Sequence, residues 1–134
     1  MAAYGVGPAG VTSVTPPSRC TQTKIGVLEA GDTTTGVVAF GLPKGAFISG
    51  VYTIAMGANT TQTIEAGFTD GGDELLTAFS ANSTGYATSG SATGSAVGTQ
   101  LTAAKVVYLK ASATLTSSVY VKVEYWMPPQ GLGF

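Results

Sequence analysis

The sequence predicts an all-β protein in which antiparallel strands form one sandwich or barrel. Gly, Thr, Ala and Ser fill about half of the 134 residues and charged residues make up only 10%. That mixture suits strands and turns better than helices. Short apolar segments also recur at close spacing, separated by turn residues, which is typical of β-sandwiches and not of β-α-β units. The length fits one domain with one core.

Seven segments have the apolar patterning of strands. The first two flank a turn that contains Gly31 and Asp32, residue types that supply the backbone conformations and local hydrogen bonds of turns. A second turn, around Pro43, precedes the third strand. In order, the predicted strands cover 24–28, 36–40, 46–55, 62–68, 74–80, 105–111 and 118–126.

The third segment, 46–55, is apolar on both of its predicted faces. Side chains of a strand alternate between the two faces of the sheet. Because both faces are apolar, we predict a central position for this strand. The predicted faces are Phe47, Val51 and Ala55 on one side and Ile48, Tyr52 and Ile54 on the other.

The later strands differ in how clearly the pattern defines them. Segment 62–68 alternates apolar with polar residues and ends at an Asp-Gly-Gly-Asp turn. Segment 74–80 fits either a strand or one helical turn, because short apolar runs do not distinguish the two, and we predict a strand. Segments 105–111 and 118–126 alternate well, the last most clearly of all, and Leu115 is expected to pack beneath the connection between them.

The segment 81–104 does not follow the strand pattern and contains almost no residues suited to a core. We predict a long surface loop, with 97–101 as a further candidate strand. Loops of this length are uncommon in compact domains and are usually functional or mobile. A contact loop that presents Tyr86 and a flexible connector are both consistent with the sequence.

Both ends of the chain are predicted to be extended arms. Residues 1–21 contain Pro8, Pro16 and Pro17, which exclude a central strand, and 127–134 form an apolar tail interrupted by Pro and Gly. Large apolar side chains on such ends indicate anchors for another subunit; the alternative is that both ends fold back onto their own domain. With Tyr86, the predicted partner-binding residues are Tyr4, Val6, Val11, Val14, Trp126, Met127, Leu132 and Phe134.

The residue types present offer little for catalysis or cofactors. The chain has no His and its single Cys20 lacks a partner thiol, so the parts of thiolate zinc sites and of His-based catalytic dyads are missing. Asp70, Asp73 and Glu74 cluster in a glycine-rich turn; Ca²⁺ takes such oxygen ligands, but residues that hydrogen-bond their own turn are the simpler interpretation. We therefore expect a protein that is not an enzyme, with no metal and no cofactor.

Charge and hydropathy also limit the partners. Six Lys and Arg against seven Asp and Glu give a net charge of -1, with no basic stripe for nucleic acid. No apolar run is long enough to span a membrane, and the first residues lack the pattern of a secretory signal. We expect synthesis in a cytoplasm and partners that are neither nucleic acid nor membrane.

Three stretches resemble a known family. The first is Phe40-Gly-Leu-Pro-Lys-Gly-Ala-Phe-Ile-Ser-Gly-Val-Tyr-Thr-Ile-Ala, in which a strand follows a Leu-Pro-x-Gly-Ala turn. The second is Ile64-Glu-Ala-Gly-Phe-Thr-Asp-Gly-Gly-Asp-Glu-Leu-Leu, and the third is the closing strand Val121-Lys-Val-Glu-Tyr. Together they resemble the small jelly-roll proteins of tailed bacteriophage virions, over about residues 35–125.

The resemblance implies that the antiparallel β-sandwich is jelly-roll-like. With the residue patterns above, we predict this sandwich over 22–126, with extended N- and C-terminal arms that fall outside the resemblance. The resemblance also implies a capsid decoration or cement protein, commonly a homotrimer, that is made in the host cytoplasm, binds the major capsid protein on the outer face of the head and ties capsomers together. The alternative is a receptor- or glycan-binding module of a head fibre or tail. An enzyme on this scaffold is disfavoured, since metal-dependent jelly-roll sites rely on His.

Overall fold

The computed structural model describes residues 21–31, 35–59, 61–80, 85–88 and 94–128, the stretch 85–88 by its backbone alone. In these residues the protein is all-β with no helix, and no helix long and apolar enough to cross a membrane is found among them. The strands are β1 (Gln22–Leu28), β2 (Val37–Leu42), β3 (Phe47–Ala55), β4 (Thr63–Gly67), β5 (Leu76–Ser80), β6 (Gly85–Thr88), β7 (Lys105–Ala111) and β8 (Val119–Trp126).

The strands form two four-stranded antiparallel sheets with the orders β1-β8-β3-β6 and β2-β7-β4-β5. We call them sheet A and sheet B. The pairings are nested: the first strand pairs with the eighth, the second with the seventh, the third with the sixth and the fourth with the fifth. This arrangement is a jelly-roll-like β-sandwich. The predicted fold class is confirmed, and β3 lies between β8 and β6, as its two apolar faces predicted.

One core fills the space between the two sheets. Strand β8 shows how the sequence builds it, because Val119, Val121, Val123 and Tyr125 are buried while the residues between them are not. Ile64 and Ala66 of β4 contribute in the same alternating way. Leu115, in the connection between β7 and β8, is buried in the core, as the sequence predicted. Burial of this apolar set is the main favourable term in folding.

A bulge in β3 corrects the predicted faces of that strand. The register with β8 shifts between Ile48 and Gly50, so Ile48 joins Val51 on the buried face. Phe47 lies on the other face, opposite Trp126. An extra residue in one strand reverses the alternation beyond it. The prediction that placed Phe47 with Val51, and Ile48 with Tyr52, is therefore wrong.

The segment 81–104 is not a simple surface loop in its described parts. Residues 85–88 form β6, which pairs with the second half of β3. Further on, Ala96 and Leu101 belong to the core, and Leu101 N–H donates a hydrogen bond to the Ala46 carbonyl at 2.8 Å. The expectation that this segment contains almost no core residues is therefore wrong. No strand forms over 97–101; the chain makes a turn at 95–98, and Gln100 forms a single bridge with Phe47.

The buried side-chain amide of Asn59 joins two loops at one end of the sandwich. One loop connects β3 to β4, and the other connects β7 to β8. Asn59 has 0% exposure, and its Oδ1 accepts hydrogen bonds from the backbone N–H groups of Thr116 at 2.8 Å and Ser117 at 2.9 Å. Its Nδ2 donates to the Ser117 carbonyl at 3.3 Å. Nearby, Gln62 Nε2 donates to the Thr114 carbonyl at 2.9 Å. The two loops are thus joined by buried side chains.

Candidate interaction surfaces

The structure describes three of the nine predicted partner-binding residues in whole or in part. Tyr4, Val6, Val11, Val14, Leu132 and Phe134 lie outside the described residues. Tyr86 lies in β6 and not in a loop, at the register position that pairs with Ile54. Trp126 ends β8, and Met127 follows it. Their role in binding a partner stays a prediction, as does the division into arms at 1–21 and 127–134.

The chain enters and leaves the sandwich at the same end. Gln22 at the start of β1 pairs with Tyr125 near the end of β8, and Tyr125 Oη donates a hydrogen bond to Gln22 Oε1 at 3.3 Å. The residues that precede β1 and those that follow β8 therefore start from neighbouring positions. Both ends of the described sandwich therefore lie at one end of the molecule.

Trp126 and Met127 both contact their own domain. The Trp126 ring packs against the Phe47 ring, with centroids 5.5 Å apart and planes at 46°. Met127 is half-buried against the core and borders a groove of about 590 Å³ with Leu101 and Gln100. The Trp126 ring is thus already engaged within the chain. A partner would contact only the part of each side chain that stays exposed.

The outward side of sheet A is unusually apolar, and we call it the aromatic face. Directly paired residues of antiparallel strands project to the same side of a sheet, so the register identifies its members. Residues paired directly across neighbouring strands form a row. One such row crosses the sheet from Val27 through Tyr120 to Ile54, and the register position in β6 that pairs with Ile54 is Tyr86. The aromatic face consists of Ile25, Val27, Phe47, Tyr52, Ile54, Tyr120 and Trp126. Ile25 is 55% exposed and Tyr120 is 37% exposed.

The charges within the aromatic face are paired. Lys122 and Glu124 occupy outward positions of β8, and Lys122 Nζ lies 3.4 Å from Glu124 Oε2. The same Nζ lies 4.8 Å from the centroid of the Tyr52 ring, within the range of a cation–π interaction. The Tyr52 ring lies over Gly50, where an added Cβ would come within 2.8 Å of the hydroxyl. The face is thus flat near Gly50 and nearly neutral.

Sequence reasoning did not identify this face, although two signals pointed to it. The two apolar sides of β3 were interpreted only as a sign of a central position. In β8, Tyr120 and Trp126 alternate with the buried valines, on the side where a solvated sheet usually carries polar residues. Because a sandwich covers only one side of each sheet, a central strand that is apolar on both sides leaves one apolar side facing outward.

A second apolar feature lies where β1 and β2, the edge strands of the two sheets, come together. Gly26 allows the close approach, since an added Cβ would lie 2.6 Å from the Cβ of Ala39. A groove of about 610 Å³ follows this edge, bordered by Ile25 and by Val38, which is 61% exposed. Ala39 sits at a register shift between β2 and β7. The edge of the sandwich formed by β1 and β2, which we call the open edge, is therefore narrow, apolar and irregular.

The acidic turn between β4 and β5 holds itself together. Glu74 Oε1 accepts a hydrogen bond from the Phe68 N–H at 2.9 Å, and Gly71 adopts a φ of +83°. The Asp70 side chain lies directly against Gly36, just before β2. Across the described ranges, no group of three His, Cys, Asp or Glu side chains is placed to hold a metal ion. Glu74 stabilises the turn in the way expected for turn residues.

No protein-family model matches this sequence, and no curated protein matches it. Solved structures do match. A chain from the capsid asymmetric unit of cyanophage Pam1 aligns over 94% of this chain and 99% of its own length, with a TM-score of 0.63 and 17% identity. A chain from an acidic stable capsid structure of Helicobacter pylori bacteriophage KHP30 aligns over 81% of this chain and 89% of its own, with a TM-score of 0.58 and 16% identity. The chain thus has the fold of chains found in two phage capsids.

Proposed function

We propose that this chain is a structural protein of a phage virion that decorates the capsid and stabilises it by bridging capsomers. One observation carries the proposal: nearly the whole chain aligns with nearly the whole of a chain in the Pam1 capsid asymmetric unit. The two chains are therefore of similar length. The likeness thus extends over the whole of that capsid chain and not over one part of it.

The chemistry of the chain supports a role in binding more than one in catalysis. Without His, and with one Cys, the sequence lacks the usual parts of acid–base and nucleophilic sites. The most distinctive described feature is instead the apolar outer side of sheet A, with Ile25 more than half exposed. Large exposed apolar patches mark interaction sites on soluble proteins.

The proposed mechanism is mechanical reinforcement by several weak contacts at once. The described chain ends start side by side at Gln22 and Tyr125, so two apolar segments can extend from one end of the sandwich. Anchored on the major capsid protein of adjacent capsomers, they would act together, because linked contacts dissociate far more slowly than single ones. The sandwich would occupy the capsid exterior as a homotrimer, after synthesis in the host cytoplasm.

The alternative, a receptor- or glycan-binding module of a head fibre or tail, receives less support. It depended on a long exposed recognition loop over 81–104. The described parts of that segment are the strand β6 and a turn whose Ala96 and Leu101 pack in the core. Less of the segment is then left for recognition, and we rank this role second.

Binding to heads prepared without this protein tests the proposal. Purified chain is mixed with such heads from the source phage and pelleted with them, and the heads are then heated. We expect saturable binding with a fixed number of copies per head and a higher temperature of disruption. Binding to host cells or glycans, with no binding to heads, would overturn the proposal in favour of the alternative.

A further inference from the structure

We propose that the aromatic face of sheet A is the surface through which copies of this chain contact one another. The inference rests on the proposed function and extends it by assigning self-association to one surface of the sandwich. The face spans β1, β8 and β3. Two adjoining rows of paired residues hold Ile25, Tyr52, Val27, Tyr120 and Ile54, and the Phe47–Trp126 pair lies one row further on, beyond Glu124. Apolar side chains in adjoining rows form a continuous patch, the kind that marks contact sites on soluble proteins.

Charge identifies a second copy as the occupant. In a symmetric assembly the same surface of each copy meets near the symmetry axis, so any net charge on that surface is present on every copy and opposes the contact. At the outward positions of the strands of the aromatic face, the charged residues are Lys122 and Glu124, and they neutralise each other at 3.4 Å. A face that is apolar and internally balanced can meet its own copy without repulsion. The whole chain, at a net charge of -1, adds little to oppose this.

The outward side of sheet B is less suited to the same contact. Its large apolar outward residues are Val38, Val106 and Tyr108, fewer than the seven of the aromatic face, and it carries a charge pair of its own in Glu65 and Lys110. The turn between β4 and β5 also folds over it, because an added Cβ at Gly71 would lie 3.4 Å from Lys110 Nζ. A surface covered in part by a turn presents less apolar area to a partner.

Association through the open edge is opposed by two features. Lys24 of β1 pairs with Val123, whose side chain points into the core, so the lysine occupies an inward-facing position on an edge strand. In β2, the register shift at Ala39 interrupts the edge. Inward-facing charges and bulges are the usual protections against edge-to-edge pairing of sheets. These two features disfavour pairing of copies through the edge formed by β1 and β2.

The test compares one substitution on the aromatic face with the same substitution elsewhere. Ile25→Glu places a carboxylate directly opposite Lys122, where it forms a cross-strand pair in the single chain but adds a net charge to the face. Val38→Glu is the matched control, since Val38 is 61% exposed against 55% for Ile25 but belongs to sheet B. Tyr120→Gln, which removes a ring without adding charge, is the second face variant. Melting temperatures confirm that each variant folds.

Sedimentation velocity from about 1 to 100 µM gives the result. We expect the unmodified chain and Val38→Glu to self-associate alike, and both face variants to need at least about tenfold higher concentration, which is about 1.4 kcal/mol per chain contact. A monomeric unmodified chain, face variants that associate normally, or equal disruption by Val38→Glu would overturn the inference. A monomer that still binds heads overturns this inference alone, whereas a self-associating chain that ignores heads overturns the proposed function alone.

Discussion

Replacing the buried residue Asn59 with alanine should by itself destabilise the fold. Asn59 lies at 0% exposure between the β3–β4 and β7–β8 loops, and its Oδ1 accepts from the backbone N–H groups of Thr116 and Ser117. Asn59→Ala removes this acceptor and leaves both N–H groups without it. It also removes the donation from Nδ2 to the Ser117 carbonyl. The loops would then be held by fewer polar contacts.

The magnitude follows from these hydrogen bonds. A buried donor left without a partner costs about 1 to 3 kcal/mol. Thr116 is exposed and Ser117 half-buried, so water can partly replace the lost acceptor, and about 1 kcal/mol for each N–H group is the appropriate figure. Adding the lost Nδ2 bond gives a loss of about 2 to 3 kcal/mol in the free energy of unfolding. For a chain of this size, that corresponds to a fall in Tm of about 8 to 12 °C.

Thermal unfolding followed by circular dichroism, at one fixed protein concentration, measures the effect. The fixed concentration matters because self-association makes Tm depend on concentration. Thr116→Val is the control: it removes a hydroxyl that donates to Asn59 Oδ1 at 3.1 Å but keeps both backbone bonds, so its cost should stay below about 1 kcal/mol. A change of less than about 2 °C for Asn59→Ala would refute the reasoning.

Three further predictions concern the open edge, the aromatic face and the arms. Gly26→Ala should lower the free energy of unfolding, measured by chemical denaturation, by about 1 to 3 kcal/mol, because the added methyl group overpacks against Ala39. Gly41→Ala is the control: its added Cβ meets nothing closer than 3.8 Å and should change stability by less than about 0.5 kcal/mol. Equal effects would contradict the close approach of β1 and β2. Trp126→Ala should lower unfolding stability by about 1 to 3 kcal/mol, since its ring packs on Phe47, and an unchanged Tm would mean that the ring serves only a partner. Deleting 1–15 or 128–134 should preserve the β-sheet circular dichroism spectrum while weakening head binding in pelleting assays, and loss of folding would refute the arm prediction.

The sequence predicted seven of the eight strands in the described residues, because each of the seven is a short segment rich in apolar residues between turn residues. Strand β6 was missed, since Gly85–Thr88 is four residues within a Gly-, Ser- and Thr-rich segment and pairs with the distant β3. The bulge after Ile48 was missed for a similar reason: it depends on the register with β8, seventy residues away in the chain. Ala96 was not identified as a core residue, because a small side chain has no pattern of its own and is buried only by its neighbours.

Less of the candidate surface could be predicted. The sequence marked Trp126 as an anchor, but the ring contact with Phe47 becomes visible only when the bulge turns Phe47 outward. The aromatic face needs the register of three strands at once, because Ile25, Tyr52 and Tyr120 are distant in sequence and adjoin only in the sheet. Single-strand periodicity reports which side a residue faces, and not what lies beside it.

The most direct measurement of the central claim is a cryo-electron microscopy difference map. Heads of the source phage prepared without this protein are imaged before and after the purified chain is added. If the chain decorates the capsid, we expect new density on the outer surface with the size of this β-sandwich. It should lie at positions related by the capsid symmetry and contact more than one capsomer. Density only at the tail or fibres, or none on the heads at saturating protein, would contradict the account.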